Sequence, residues 1–100
     1  MINTIVQKVV EGAKPEQVVL FGSFAAGTQG EDSDIDLLII KDTSLRRDER
    51  DREIRSFLKD VIYPMDIFVY TPNEVNHLKN LPNSFLNKIL ATGKTIYERR

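Results

Sequence analysis

Hydrophobic positions in the first part of the chain follow two different periods. Residues 2–12 place apolar side chains three and four positions apart, which predicts an amphipathic helix. Gln17–Phe21 and Asp34–Ile40 are short, mostly apolar runs, often β-branched, which predicts two strands. Between the strands we expect a very short helix capped by Ser23, then a polar loop over residues 28–33.

A longer helical pattern occupies the middle of the chain. Residues 44–62 carry an apolar face, but their first turns are almost entirely charged. We expect these charged turns to form a solvated surface, with contact to a partner as the alternative. Pro64 then breaks the chain before a third strand, Met65–Tyr70.

The last third of the chain has a well-marked helix start. Thr71 is expected to cap a helix with Pro72 at its first position and Glu74 at its third. A second short helix, Ser84–Thr92, precedes an edge strand over Lys94–Glu98. The order α-β-α-β-α-β-α-α-β predicts an α+β fold, a small mixed β-sheet flanked by helices. One hundred residues predict a single domain, 1–100.

Composition and charge narrow the class of protein. The chain is 41% hydrophobic and 29% charged with a net charge of −1, which is typical of a globular domain and excludes a disordered one. Its apolar runs are too short to span a membrane, and it shows no signal peptide, so we expect a cytoplasmic protein. The near-zero charge predicts no direct binding to nucleic acid. Cysteine is absent, which excludes disulfides and a thiol nucleophile.

A glycine and a serine directly follow the first predicted strand. Gly22 allows a sharp turn, and the amides after it are free to bind an anion at the start of a helix. An ordinary glycine turn remains the alternative. The segment is not a P-loop, because Thr28 stands where the lysine must be, and Phe24 excludes the dinucleotide-binding pattern.

Three aspartates lie at the predicted amino-terminal ends of two strands. Asp34 and Asp36 are two positions apart, so their side chains leave the same face of a strand, and repulsion between them favours a bound cation such as Mg²⁺. Asp66 interrupts an apolar strand and also needs a cation. A parallel crossover between the strands would bring it level with the first two. The alternatives are a solvated acidic loop end for the pair and a salt bridge to arginine for Asp66. An EF-hand is excluded, because Leu37 and Thr43 occupy its glycine and glutamate positions.

The combination of Gly22-Ser23, Asp34-x-Asp36 and a later strand aspartate, Asp66, resembles the polymerase-β-like nucleotidyltransferase superfamily. Within it, the chain from about Val18 to Glu98 is similar to the minimal nucleotidyltransferases paired with HEPN-domain toxins in prokaryotic toxin–antitoxin modules.

The resemblance implies a role for each of these residues. Gly22 and Ser23 would bind the nucleoside triphosphate, and Asp34 and Asp36 would hold two Mg²⁺ ions, or Mn²⁺. Asp66 would hold the catalytic metal and help to deprotonate the acceptor. The resemblance further implies transfer of AMP from ATP to a tyrosine hydroxyl of a HEPN ribonuclease toxin.

One departure from the family pattern supports a second hypothesis. Many relatives read Gly-Ser-x-Ala-Arg-Gly, whereas this chain has Ala26 at the arginine position. The alternatives are therefore a catalytically silent antitoxin that neutralises HEPN by binding, or an enzyme that modifies a small molecule.

Other residues carry weaker expectations. We expect His77 at the surface and the tyrosines in packing roles, while Arg46 and Arg47 are candidates to reach the phosphates. A chain of this size offers little second wall for an acceptor, so a partner should supply it. The late helices around Leu78, Leu81 and Phe85 are the predicted contact surface, with completion of the core as the alternative.

Overall fold

The predicted order of elements is confirmed in a computed structural model, which describes residues 2–28, 30, 33–82 and 84–99. The predicted loop at 28–33 includes Gln29, Glu31 and Asp32, which lie outside the described residues. The elements are α1 (Ile2–Ala13), β1 (Gln17–Phe21), α2 (Ser23–Ala26), β2 (Ile35–Ile40), α3 (Arg47–Ser56), β3 (Met65–Tyr70), α4 (Pro72–Leu78), α5 (Phe85–Thr92) and β4 (Lys94–Glu98).

The four strands form one mixed sheet in the order β3-β2-β1-β4. β1 is antiparallel to both of its neighbours, whereas β2 and β3 are parallel. The parallel pair is connected by a crossover that contains α3, as the long connection between these strands predicts. The expectation of an α+β fold with a small mixed sheet is therefore confirmed.

Each face of the sheet is covered by its own helices. One hydrophobic cluster joins Ile5 and Val9 of α1 and Ile54 of α3 to the sheet. The opposite cluster joins Leu86 and Ile89 of α5 to the other face. Because strand side chains alternate between faces, residues of β2 contribute to both clusters in turn. No helix in the described part of the chain is long and apolar enough to cross a membrane.

Several element boundaries differ from the predictions. α3 is shorter than the predicted 44–62, and β2 begins at Ile35, so Asp34 precedes the strand. α1 extends one residue beyond the predicted 2–12, to Ala13. The predicted cap of α4 is confirmed, since the Thr71 side chain accepts a hydrogen bond from the backbone N–H of Glu74. Ser84, predicted as the first residue of the last helix, is instead its N-cap.

The expectation of a solvated charged surface on α3 is wrong for Arg50, which is only 8% exposed. Its guanidinium donates hydrogen bonds to the carbonyls of Leu45 (2.8 Å) and Val69 (3.3 Å) and to the Glu74 carboxylate (2.7 Å). Glu74 also accepts from the backbone N–H of Thr71 at 2.8 Å. One buried arginine thus connects α3, β3 and the start of α4.

The pKa of Glu74 reflects this network. Partial burial by itself would raise the pKa, but hydrogen bonds from Arg50 and the Thr71 backbone and the charges of Arg50 and Arg47 outweigh it, so that the pKa is lowered. A lowered pKa means that the stabilisation is present above the pKa of about 4.5 of the unfolded chain. It is lost as the pH falls through the lower value of the folded state.

Glu74→Gln should therefore lower the free energy of unfolding at pH 7 by about 1–2 kcal/mol, because it removes a charge-assisted hydrogen bond. The deficit relative to wild type should shrink as the pH falls from about 4.5 through the lowered pKa of folded Glu74, where the wild-type carboxylate becomes protonated as well. Urea unfolding across this pH range measures it. Asp51→Asn, in the exposed Asp51–Arg55 pair of α3, should have a much smaller effect. An equal, pH-independent loss in both variants would contradict the explanation.

Candidate active site

Three side chains form a row across three neighbouring strands at one end of the sheet. Phe21, the last residue of β1, is the register partner of Asp36 on β2. Asp36 is in turn the register partner of Asp66 on β3. Neighbouring strands lie about 4.8 Å apart, so the two carboxylates are held side by side on one face. The parallel register thus brings Asp66 level with Asp36, as the sequence predicted.

The pKa of Asp36 reflects these neighbours. Partial burial is the largest cause that raises the pKa of Asp36, followed by a side-chain hydrogen bond with Asp66 and by the negative charges of Asp66 and Asp34. Asp34 and Asp66 are themselves exposed. Among the residues that the structure describes, no lysine, arginine or histidine forms a salt bridge with any of the three.

Gly22 lies directly against this pair. A Cβ atom at Gly22 would lie 2.1 Å from Oδ2 of Asp36, a distance that no real side chain tolerates. The backbone of Gly22 also has φ 75° and ψ −154°, a region that is essentially restricted to glycine. Both the turn after β1 and the close approach of the Asp36 carboxylate therefore require glycine at this position.

Ser23 has a different local role from the one predicted. Gly22 is the N-cap of α2, no side chain caps it, and Ser23 is the first helical residue. The first amides of a helix have no carbonyl partner one turn earlier. The N–H of Ala26 closes the first turn on the Gly22 carbonyl at 3.1 Å. Among the described residues, the first backbone N–H groups of α2, beside Asp36, have no hydrogen-bond acceptor.

The carboxylates are suited to a divalent cation whose remaining ligands come from a bound substrate. Within residues 2–28, 30, 33–82 and 84–99, no three acidic or histidine side chains are arranged as a complete set of ligands for one ion. Mg²⁺ usually takes only one or two protein carboxylates, together with water and substrate phosphate oxygens. Asp36 and Asp66, adjacent, mutually repelling and without a basic partner in the described chain, meet that requirement.

Tyr63 contributes to the site although its sequence context gave no signal beyond a packing role. Its hydroxyl donates a hydrogen bond to the carbonyl of Ser33 at 3.2 Å, and its ring packs edge-on against Phe24 of α2, with centroids 6.1 Å apart. Tyr63 therefore connects the segment before β3 to α2 and to the residue preceding Asp34.

Two of the weaker candidates lie away from this row. Arg47 stacks over the Tyr70 ring at 5.1 Å and lies 3.9 Å from the Glu74 carboxylate. Tyr70 is four residues beyond Asp66 along β3, which places this arginine roughly 13 Å from the acidic end of the sheet. Arg46 pairs with Glu49 on its own helix. The expectation that these arginines reach the phosphates is not supported by this placement. His77 is exposed on α4, as predicted.

The family model for "Polymerase beta, Nucleotidyltransferase" matches residues 3–100. The chain belongs to this polymerase-β nucleotidyltransferase family.

Similar proteins agree with this assignment. The chain is 33% identical to "Putative protein adenylyltransferase MJ1305" of Methanocaldococcus jannaschii, over 99% of its own length and 74% of the relative's. The fold is similar to that of a toxin–antitoxin crystal structure with AMP-PNP, with a TM-score of 0.71, 19% identity and coverage of 100% of this chain and 76% of that one. A mutant of the toxin–antitoxin MntA–HpeT gives a TM-score of 0.69 at 18% identity, covering 98% of this chain and 73% of that one.

A side chain at Gly22 would be unfavourable for two reasons: the positive φ of the backbone and the nearby Asp36 carboxylate. Gly27 has a similar positive φ of 74°, but a Cβ there would meet no atom within 4 Å. Gly22→Ala should destabilise the protein by about 1–3 kcal/mol, and Gly27→Ala by less, because only the first displaces Asp36. Gly30→Ala should be close to neutral, since a Cβ at Gly30 meets open space and no positive φ is required. Chemical denaturation measures the series, and equal losses at Gly22 and Gly27 would contradict the close-approach explanation.

Proposed function

We propose that the chain is a metal-dependent protein adenylyltransferase that acts as an antitoxin and transfers AMP from ATP to a tyrosine hydroxyl of a HEPN-domain ribonuclease toxin. The observation that carries the proposal is the register pairing of Asp36 with Asp66 beside the glycine turn. The family assignment, the adenylyltransferase name of the relative and the toxin–antitoxin context of two fold neighbours support it. HEPN and the tyrosine rest on the sequence resemblance alone.

Each residue has a defined task in this proposal. The backbone at Gly22 and Ser23 holds the triphosphate, because a bare turn followed by free amides accepts anionic oxygens. Asp34, Asp36 and Asp66 hold two Mg²⁺ ions, which, when bound, activate the attacking oxygen and neutralise the departing pyrophosphate. Mn²⁺ would satisfy the same carboxylates.

The bond changes follow from this arrangement. The tyrosine oxygen of the toxin attacks the α-phosphorus, a phosphorus–oxygen bond to the β-phosphate breaks, and pyrophosphate leaves. Asp66 is the base that accepts the hydroxyl proton, since it is exposed and lies level with Asp36. The substrate ATP makes the cytoplasm the proposed location. No contact with nucleic acid or membrane is part of the proposal.

Exposed apolar side chains indicate where the toxin binds. Leu81, in the connection between α4 and α5, is 45% exposed, which supports its predicted role as a partner contact. Leu78 is partly buried against the hydrophobic cluster of α5, so it contributes to the core. We therefore assign the partner surface to the α4–α5 connection around Leu81.

Binding of nucleotide and metal should be visible without any partner. Mg²⁺ or Mn²⁺ together with ATP should raise Tm, because any ligand of the native state stabilises it. The double variant Asp34→Asn, Asp36→Asn should lose this rise while remaining folded, and its metal-free form should melt slightly higher because repulsion with Asp66 is relieved. Asp48→Asn, at an exposed acid of α3, should keep the full ligand response. An unchanged response in the double variant would contradict the metal site.

The transfer reaction is tested by co-expressing the chain with a HEPN-domain toxin. Size exclusion should show a complex, and intact-mass measurement should show a toxin heavier by one or more AMP units. Asp36→Asn and Asp66→Asn should each abolish the mass gain, whereas Asp48→Asn should not. A small-molecule product made by the isolated chain, with no change in the toxin, would contradict a protein acceptor.

A second candidate function is favoured by one observation. Ala26 is exposed at the end of α2 and occupies the position where many relatives carry arginine. A silent antitoxin that neutralises the toxin by contact alone would give a stable complex without any mass gain. The same co-expression therefore separates the two functions.

A further inference from the structure

Three phenylalanines form a cluster beside the carboxylates of Asp36 and Asp66. The ring of Phe85, the first residue of α5, packs edge-on against Phe21 with centroids 6.0 Å apart and against Phe68 at 5.1 Å. Phe21 and Phe68 are themselves 5.9 Å apart. These separations are within the range of favourable aromatic pairs, so the three rings form one packed unit.

The sheet register places this unit next to the carboxylates. Phe21 shares a cross-strand row with Asp36 and directly precedes Gly22 in the chain. Phe68 is two residues beyond Asp66 on β3, so its side chain leaves the same face. The cluster therefore adjoins the glycine turn through Phe21 and the aspartate pair through Phe21 and Phe68.

Phe85 keeps about half of its surface open. It is 49% exposed, whereas Leu86, the next residue, is 1% exposed in the core below. The contacts with Phe21 and Phe68 hold the ring in place while a large part of it faces solvent. A fixed, exposed aromatic ring beside an anion-binding turn is suited to contact with a planar ligand.

We propose that Phe85 is the surface on which the nucleobase of the bound nucleotide stacks. This inference rests on the part of the proposed function that places a nucleoside triphosphate at Gly22, Ser23 and the aspartates. A base is tied to the phosphates through its ribose, so it must lie near them, and the cluster is contiguous with the phosphate end of the site. A protein partner is not linked to the phosphates, and its contact is assigned to Leu81.

The chemistry of the cluster also predicts which bases it favours. Phenylalanine rings offer no hydrogen-bond donor or acceptor, so they cannot read the edge of a base. They select by stacking area, and this favours the larger purines over pyrimidines. The site should accordingly bind ATP and GTP more tightly than CTP and UTP.

Calorimetric titration of the isolated chain in Mg²⁺ tests the assignment with two probes, ATP and inorganic tripolyphosphate. Phe85→Ala should weaken ATP roughly 5- to 150-fold, the range for loss of one aromatic–base stack, and leave tripolyphosphate unchanged. Phe85→Tyr should keep wild-type affinity. Ile62→Ala, at another exposed large hydrophobic side chain, is the control and should bind both probes as wild type does. The purine preference should shrink in Phe85→Ala.

Phe85 packs against two other rings, so the alanine variant also needs a readout that does not depend on its fold. In wild-type protein with labelled phenylalanine, NMR should show cross-relaxation between the base protons of ATP and the Phe85 ring. Absence of that signal from ATP-saturated protein would overturn the inference. Unchanged ATP affinity in Phe85→Ala, or an equal weakening of both probes, would also overturn it.

The outcomes separate this inference from the proposed function. Wild-type protein that binds ATP but never modifies the toxin would refute the proposed transfer and leave the stacking assignment supported. Wild-type protein that binds neither probe would refute both. A Phe85→Ala variant that loses only the toxin complex, with ATP affinity intact, would make Phe85 a partner contact instead.

Discussion

The register between two parallel strands is the constraint on which this site depends. It places the Asp36 carboxylate beside that of Asp66, and the charge of Asp34 acts on the same group. Like charges held this close oppose folding when no cation is present, because the strand pairing fixes the backbone positions of both residues. A sheet that holds them together nevertheless is prepared for a ligand that brings positive charge.

The rest of the fold keeps that register in place. β3 is an edge strand, and its outward-facing carbonyls need partners other than a neighbouring strand. Two arginines of α3 provide them, Arg55 to the carbonyl of Met65 at 2.8 Å and Arg50 to that of Val69 at 3.3 Å. Charged residues that look like a solvated surface in sequence thus hold the strand that carries Asp66, one near each end.

The two ends of the sheet carry different groups of residues, and so do its two faces. The end of the sheet at Gly22 carries Asp36, Asp66 and the first backbone amides of α2. The opposite end is occupied by the network of Arg50 and Glu74. The face that carries Asp36 and Asp66 also carries the phenylalanine cluster beneath α5. In the proposed function, the polar end holds the phosphates and the adjoining aromatic face holds the base.

Local rules determined the features that act within a few residues. The order of elements, the cap at Thr71 and the glycine turn at Gly22 follow from periodicity or turn chemistry. The spacing of these residues also carried the family resemblance, which the family model bears out.

Tertiary structure decided what depends on residues far apart in the chain. Only the parallel crossover determines that Asp66 meets Asp36, since the same strand in an antiparallel pairing would carry Asp66 to the other end of the sheet. Only the packing of α3 against β3 and α4 buries Arg50, and this shows why a charged run in sequence was a poor guide to its exposure. The position of Phe85 near Asp36 and Asp66 could not be predicted from local sequence either. Its neighbours Phe21 and Phe68 come from two other elements that meet only when the sheet is assembled.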